Sequence, residues 1–193
     1  EAIQAFQQSI SLNAAHVSTW EALGDLYSDL NQLDDALNAY HKLTTLRPDS
    51  ASSWYKLGTL HLQLQYYSEA IKALENALNI MPNCIEILNN LASAVFKEKK
   101  YRNAIEFYQE IIKPDISCAK AWNNLGNCYY AEQQYENARR AYTEAVNLEK
   151  DNWIIWNNLG TLNLTLGQYP EAINAYKKAT QLNTKYVMAW HGL

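Results

Sequence analysis

Apolar and polar side chains follow one another along this chain with a helical period, and the pattern recurs at a fixed interval. A first apolar stripe has spacings of three, four and seven, which place its members on one face of an α-helix. A second stripe with the same kind of spacing follows a short polar turn, so the pattern predicts two antiparallel helices joined as a hairpin. In the first clear copy the stripes are Trp20, Leu23, Gly24 and Tyr27, and then Ala36, Tyr40 and Leu43.

The stripes repeat every 34 residues, and five positions keep their register through the chain. The first column holds Trp20, Trp54, Leu88, Trp122, Trp156 and Trp190. Three residues later stand Leu23, Leu57, Leu91, Leu125, Leu159 and Leu193, followed at once by the small residues Gly24, Gly58, Ala92, Gly126 and Gly160. The second helix carries Ala2, Ala36, Ala70, Ala104, Ala138 and Ala172, with Phe6, Tyr40, Leu74, Tyr108, Tyr142 and Tyr176 four residues further on. Chance does not hold five columns in register, so the chain is an array of internal repeats.

The small residues have a packing explanation. Glycine costs about 1 kcal/mol of helix propensity relative to alanine, so a glycine that recurs inside a helix is expected to allow close packing. We expect the two backbones of each hairpin to approach closely at Gly24 and Ala36. One hairpin buries only one of its faces, and stacking it on its neighbours completes the core.

The pattern W-x2-L-G-x2-Y…A-x3-F/Y…P resembles the tetratricopeptide repeat (TPR) family, and the resemblance covers the whole chain. It implies an all-α fold: an α-α superhelix in which antiparallel helix hairpins form a right-handed solenoid. The predicted full units are 17–50, 51–84, 85–118, 119–152 and 153–186, with partial units at 1–16 and 187–193. Because the first residues already match a second helix, we expect the chain to be part of a longer protein.

The third unit departs from the pattern, and prolines punctuate the others. Pro48 and Pro82 are expected to end second helices. Pro114 comes two residues earlier in its unit, which predicts a second helix that ends about half a turn early. Its neighbour Lys113 is expected to leave the α region. Pro170 falls in the first turn of a helix, where its missing N–H costs nothing.

In such a stack the first helices line a concave face. An asparagine pair directly precedes the repeated leucine in three successive units. A side-chain amide offers donors and an acceptor, so a row of amides can hold the backbone of an extended peptide whatever its sequence. An apolar row beside them would accept ligand side chains. The predicted peptide-binding residues are Asn89, Asn90, Phe96, Lys120, Asn123, Asn124, Asn127, Tyr130, Asn157, Asn158 and Leu164.

Composition narrows the partner classes. The net charge is −4 and basic residues are dispersed, which argues against a nucleic-acid partner. No apolar run reaches the roughly 18 residues of a membrane span, so membrane insertion is not expected. Three cysteines without disulfide or metal spacing predict free thiols in a reducing compartment, hence a cytoplasmic protein. No catalytic constellation, metal-ligand cluster or cofactor motif is present, so the sequence predicts neither an enzyme nor a cofactor.

The leading prediction is a non-catalytic protein-interaction scaffold that binds an extended polypeptide in its concave groove. Two alternatives stay open. The Asn-bearing units are similar to those of protein O-linked N-acetylglucosamine transferases, so the chain could be the substrate-presenting arm of a larger enzyme. The incomplete terminal hairpins could also mediate self-association. Asn90 and Lys120 match part of the clamp with which some TPR proteins hold a C-terminal carboxylate, but the other members of that clamp are missing.

Overall fold

The computed structural model describes residues 2–183, and within that range the chain forms eleven α-helices and no strand. The helices are α1 (Ala2–Leu12), α2 (Val17–Asp29), α3 (Leu33–Leu46), α4 (Ala51–Gln63), α5 (Tyr67–Ile80), α6 (Ile85–Lys97), α7 (Tyr101–Ile112), α8 (Ala119–Ala131), α9 (Tyr135–Leu148), α10 (Trp153–Thr165) and α11 (Tyr169–Leu182). This confirms the predicted all-α helical-repeat class. Trp190, Leu193 and the predicted partial unit 187–193 lie outside the described residues.

The helices belong to two compact units that divide between Glu98 and Lys99. In the N-terminal unit α2 packs on α3 and α4 packs on α5, and each hairpin also contacts the helix that follows it. In the C-terminal unit α8 packs on α9 and α10 packs on α11, with α7 against α8 and α9 against α10. Each unit therefore consists of consecutive helices stacked on their neighbours in sequence, as the repeat pattern predicts.

The alanine column is fully buried between the packed helices. Ala36, Ala70, Ala104 and Ala138 are each 0% exposed. The glycine column serves a purpose that differs in part from the prediction. A Cβ atom on Gly24 would lie 2.4 Å from Cε1 of Tyr40, and the same holds at Gly126 and Gly160 with the tyrosines of their own hairpins. Glycine here leaves room for an aromatic ring, whereas at Gly58 the nearest atoms are those of the Leu74 side chain and the backbone oxygen of Ala70, at 3.3 Å.

The tryptophan column has a polar role as well as an apolar one. The indole N–H of Trp20 donates to the carbonyl oxygen of Ala14, six residues earlier, at 2.8 Å. Three further tryptophans repeat this bond to the oxygens of Pro48, Ile116 and Lys150, at 2.7 to 2.9 Å. Each tryptophan thereby ties its first helix to the turn that precedes it. Leu88 fills the same position in the third repeat without a donor.

Helix α7 ends early, as the position of Pro114 predicts, but only one of the two predicted reasons holds. The other second helices α3, α5, α9 and α11 have 14 residues, whereas α7 has 12. The expectation that Lys113 leaves the α region is wrong, because its φ and ψ are −57° and −47° and its N–H donates to Gln109 O at 3.0 Å. The helix ends because Pro114 has no N–H with which to continue the ladder. Pro170 lies in the first turn of α11, as predicted.

The turns after α2, α4, α8 and α10 each end the first helix of a hairpin with two backbone bonds. After α8, the N–H of Gln134 donates to Tyr129 O at 2.8 Å and that of Gln133 donates to Tyr130 O at 3.0 Å, which is the Schellman arrangement. It requires a left-handed residue, and Gln133 adopts φ 59°. Only the last described turn uses glycine there, Gly167 at φ 70°. The other turns carry the cost of a side chain in this conformation.

Replacing Gln133 with glycine is expected to raise the free energy of unfolding by about 0.5–1 kcal/mol, because glycine adopts a positive φ without steric cost. Urea denaturation followed by circular dichroism measures the change. Gln134→Gly is the matched control: its φ is −83°, so glycine there only adds freedom to the unfolded chain and is expected to destabilise. Equal shifts in the two variants would contradict the turn assignment.

Candidate functional site

An amide cluster occupies the first-helix face of the C-terminal unit, where α8 and α10 lie side by side. The Nδ2 group of Asn158 donates to Oδ1 of Asn123 at 2.9 Å and to Oδ1 of Asn127 at 3.3 Å. The same Asn127 oxygen accepts a bond of 2.8 Å from the hydroxyl of Tyr142 on α9. Asn123 and Tyr142 are 9% and 2% exposed, and Asn127 and Asn158 are partly buried. Three helices are therefore joined through one set of side-chain amides.

The N-terminal unit repeats this geometry with other residue types. Asn90 on α6 donates to the hydroxyl of Tyr55 at 3.1 Å and to Oγ1 of Thr59 at 3.4 Å on α4. In both units the donor reaches back 31 and 35 residues, to the first helix of the preceding repeat. Asn90 and Asn158, each the sixth residue of its repeat, thus donate hydrogen bonds to the preceding hairpin.

A lysine occupies that position one repeat earlier. Nζ of Lys56 lies 2.9 Å from Oε1 of Glu21 and 2.7 Å from Oδ2 of Asp25, both on α2. Tyr40 also donates to Asp25, at 2.8 Å. Partial burial disfavours the charge of Lys56, but the bonds to Asp25 and Glu21 raise its pKa above the ordinary value. Lys56 is therefore a partner of α2 within the unit, and its cation is neutralised there.

These bonds change the interpretation of the predicted row of asparagine amides. From the sequence we expected Asn90, Asn124 and Asn158 to bind the backbone of a peptide. The side-chain nitrogen of Asn158 already donates to two oxygens within the unit, and Asn90 donates to its neighbouring helix in the same way. Burial and the neighbouring Cys128 raise the pKa of Tyr108, and the amide of Asn124 acts in the opposite direction. The repeated asparagine, which predicted ligand contacts, is therefore also explained by bonds that hold neighbouring repeats together.

Other predicted residues keep capacity for a ligand. The side-chain amide of Asn157 forms no hydrogen bond within residues 2–183 and is partly buried. Leu164 is 42% exposed on the same helix. The hydroxyl of Tyr130 lies 2.8 Å from Oγ1 of Thr165, which places the tyrosine of α8 beside the end of α10. Lys120 is exposed at the start of α8. The predicted residues of the N-terminal unit are Asn89, Asn90 and Phe96, all on α6 and all partly buried.

The opposite side of the C-terminal unit carries a groove that the sequence did not predict. It has a volume of about 600 Å³ and lies over α8 between the second helices α7 and α9. Tyr129 accepts a hydrogen bond of 3.0 Å from Nε2 of Gln109 there. The sequence assigned the Tyr129 and Trp122 columns to buried packing, yet both side chains are partly exposed. In both units a glutamine bonds to the tyrosine 20 residues later, Gln7 to Tyr27 and Gln109 to Tyr129.

The described residues contain no group of three or more His, Cys, Asp or Glu side chains placed to hold a metal ion. No helix within 2–183 combines the length and apolar character needed to cross a membrane. Cys84 and Cys118 are free thiols beside helix starts, while Cys128 is a buried free thiol on α8. Burial raises the pKa of the Cys128 thiol to about 12, so it is not a reactive thiolate.

Comparison with known families decides the classification. A family model of the cilia and flagella-associated protein 70 C-terminal domain matches residues 49–185, and a model of the TPR repeat matches residues 24–65. The chain belongs to this tetratricopeptide repeat family. The family predicted from the sequence is therefore confirmed.

Solved structures with the same fold are TPR proteins of low sequence identity. YrrB, a TPR protein with an unusual peptide-binding site, matches with a TM-score of 0.77 and 20% identity over 98% of this chain and 97% of that chain. MamA from Desulfovibrio magneticus RS-1 matches with a TM-score of 0.82 and 18% identity over 87% and 95%. Another MamA structure gives 0.79 and 23% over 88% and 92%. No curated protein sequence matches the chain. At these identities the likeness establishes the TPR fold.

Proposed function

We propose that this TPR protein is a non-catalytic scaffold that binds an extended polypeptide segment on the first-helix face of α8 and α10. The observation that carries the proposal is the amide cluster with exposed apolar side chains at its edge. Within residues 2–183 the amide of Asn157 forms no side-chain hydrogen bond, and Leu164 is 42% exposed on the same helix. An amide both donates and accepts, so it suits a peptide backbone of any sequence. The peptide-binding site of YrrB is consistent with such a role for this fold.

Hydrogen bonds alone are too weak for a useful complex. Each contributes about 0.5–1.5 kcal/mol net, whereas a micromolar complex needs about 8 kcal/mol. Burial of ligand side chains against Tyr130 and Leu164 must supply much of the difference, at about 25 cal/mol per Å² of apolar surface. The proposed site therefore combines backbone recognition through amides with a preference for apolar ligand side chains.

The test begins with peptides selected on the whole protein from a random display library. Affinity of a selected peptide is then measured for the wild type and for the double variant Asn157→Ala/Leu164→Ala. We expect at least a tenfold loss, because one amide and one apolar contact together contribute about 1.4 kcal/mol or more. Asn157 is suited to this test because its removal breaks no bond within the described chain.

The matched control makes the same two changes on the second-helix side of α11, as Asn174→Ala/Leu182→Ala. Both side chains are exposed, and Leu182 is 38% exposed. The control is expected to bind within about twofold of the wild type, since exposed substitutions change stability by only about 0.5 kcal/mol. If Asn157→Ala/Leu164→Ala remains folded by circular dichroism and binds every selected peptide as the wild type does, the proposed site is wrong.

A further inference from the structure

The groove on the other side of the C-terminal unit has an aromatic floor and a charged rim, and it is called the second-helix groove below. Its floor includes Trp122 and Tyr129, which are partly exposed. Apolar contact is continued by Leu125, Ile112 and Ala141. Aromatic side chains at the bottom of a concave surface are typical anchors for a ligand side chain. At about 600 Å³ the groove has room for such a side chain and part of a backbone.

The rim carries more positive than negative charge, although the chain as a whole has a net charge of −4. Lys113, Arg139 and Arg140 line the groove, and Glu144 is the carboxylate among the lining residues. The Nη2 group of Arg139 is held by Oε1 of Gln168 at 2.7 Å. Lys113 and Arg140 therefore supply the charge that a ligand can reach.

Glu136, the carboxylate paired with Arg140, competes only weakly with a ligand for the guanidinium group. Oε1 of Glu136 lies 3.8 Å from Nε of Arg140, and the two side chains are 70% and 75% exposed. Solvent-exposed pairs of this kind contribute little because water screens them and their side chains stay mobile. A ligand carboxylate at the rim can thus pair with Arg140 without first breaking a strong contact.

Tyr129 adds a donor at the floor. Its hydroxyl oxygen accepts from Gln109 at 3.0 Å, which leaves its own O–H able to donate to a ligand oxygen. Donors therefore face the groove from the floor and from the rim. This arrangement favours a ligand rich in acceptors, and carboxylates accept the strongest bonds from cationic donors.

The N-terminal unit contains a groove with the same floor and a different rim. Comparing the two grooves shows which features follow from packing. Three repeats earlier, a groove of about 220 Å³ is lined by Gln7, Ile10, Trp20, Leu23, Tyr27, Asp35, Asn38 and Ala39. Ser11 and Asn38 stand where Lys113 and Arg140 stand, and Asp35 replaces Asn137. The shared floor follows from the repeat, whereas the cationic rim belongs to the C-terminal unit. Packing alone does not require that rim.

We propose that the second-helix groove is a separate docking site for an acidic polypeptide segment that carries an apolar side chain. The apolar side chain lies over Trp122 and Tyr129, and carboxylates of the segment pair with Lys113 and Arg140. The site is independent of the first-helix face proposed above, because it uses other helices and the opposite side of α8. One chain can then hold two segments.

The experiment selects a random dodecapeptide display library on the full chain and measures affinities of the enriched peptides for three proteins. These are the wild type, Lys113→Glu/Arg140→Glu, and the matched control Ser11→Glu/Asn38→Glu, which puts the same charges at the equivalent rim of the N-terminal unit. We expect one enriched group of net negative peptides with an apolar residue. This group should lose at least tenfold in affinity for Lys113→Glu/Arg140→Glu and change less than twofold for the control. Its affinity should also fall as salt rises, since rim charges act through screened electrostatics.

All substituted positions are exposed, so both double variants are expected to fold, and circular dichroism checks this. The proposal is overturned if no enriched peptide distinguishes the two double variants, if the peptides that do are net basic, or if selection enriches nothing. Loss of the same peptides on Asn157→Ala/Leu164→Ala would also overturn it, because their site would then be the first-helix face. Intact binding to that variant supports two separate sites.

Discussion

Replacing Ala138 with leucine is expected to lower the free energy of unfolding by about 1–3 kcal/mol, because the site has no room for a larger side chain. Ala138 is 0% exposed on α9 and packs in one cluster with Tyr142 and Leu162. Leucine would have to displace the Tyr142 ring, which itself fills the space above Gly126. The added bulk therefore disturbs three helices, α8, α9 and α10.

Urea denaturation of the whole chain measures this effect. Asn147→Leu on the same helix is the control, since Asn147 is exposed and surface changes stay within about 0.5 kcal/mol. Ala104→Leu should behave as Ala138→Leu does, because Ala104 has the same phase and is also 0% exposed. A denaturation midpoint unchanged in both leucine variants would mean that the alanine column does not mark the packing face.

Replacing Asn127 with alanine is expected to destabilise the C-terminal unit by about 1–3 kcal/mol, although the residue lies on the proposed binding face. Its Oδ1 accepts from the Tyr142 hydroxyl at 2.8 Å and from Asn158 at 3.3 Å. Tyr142 is 2% exposed, so its hydroxyl would lose its partner where water cannot replace it. A buried group left unpaired costs about this amount.

Asn157→Ala supplies the contrast, because Asn157 forms no side-chain bond within residues 2–183. We expect its denaturation midpoint to stay within about 0.5 kcal/mol of the wild type. The double variant Asn127→Ala/Tyr142→Phe should recover part of the loss, since both partners of the bond are then removed. Equal stabilities of Asn127→Ala and Asn157→Ala would show that the amide cluster does not hold the hairpins together.

Asparagine variants at different positions separate effects on stability from effects on ligand binding. A change at Asn90 or Asn158 removes bonds between repeats, so a loss of ligand affinity there would not identify a contact residue. A change at Asn157 leaves those bonds intact. Binding measurements at Asn157 and Leu164 therefore test the proposed function, whereas stability measurements at Asn127 test the packing.

The fold was predictable from the sequence because its determinants are local and repeated. Spacings of three and four within each stripe predicted the helices, and the fixed interval between columns predicted their stacking. Pro114 predicted the early end of α7, since a missing N–H acts at its own position in the chain. The buried alanine column was predictable for the same reason, because each copy of the repeat provides independent evidence for one packing position.

The role of each polar side chain depended on distances between helices that no local pattern contains. Asn158 and Asn157 are neighbours of the same residue type, yet one bonds to the preceding repeat and the other forms no side-chain bond within the described chain. The indole donors of the tryptophan column find their carbonyl partners only once the preceding turn has folded against them. The second-helix groove arises from the separation of α7 and α9, which lie on either side of Tyr129 and both pack against α8. Helix periodicity specifies which residues share a face, but the rotation and separation of packed helices decide which of those residues meet a partner and which meet solvent.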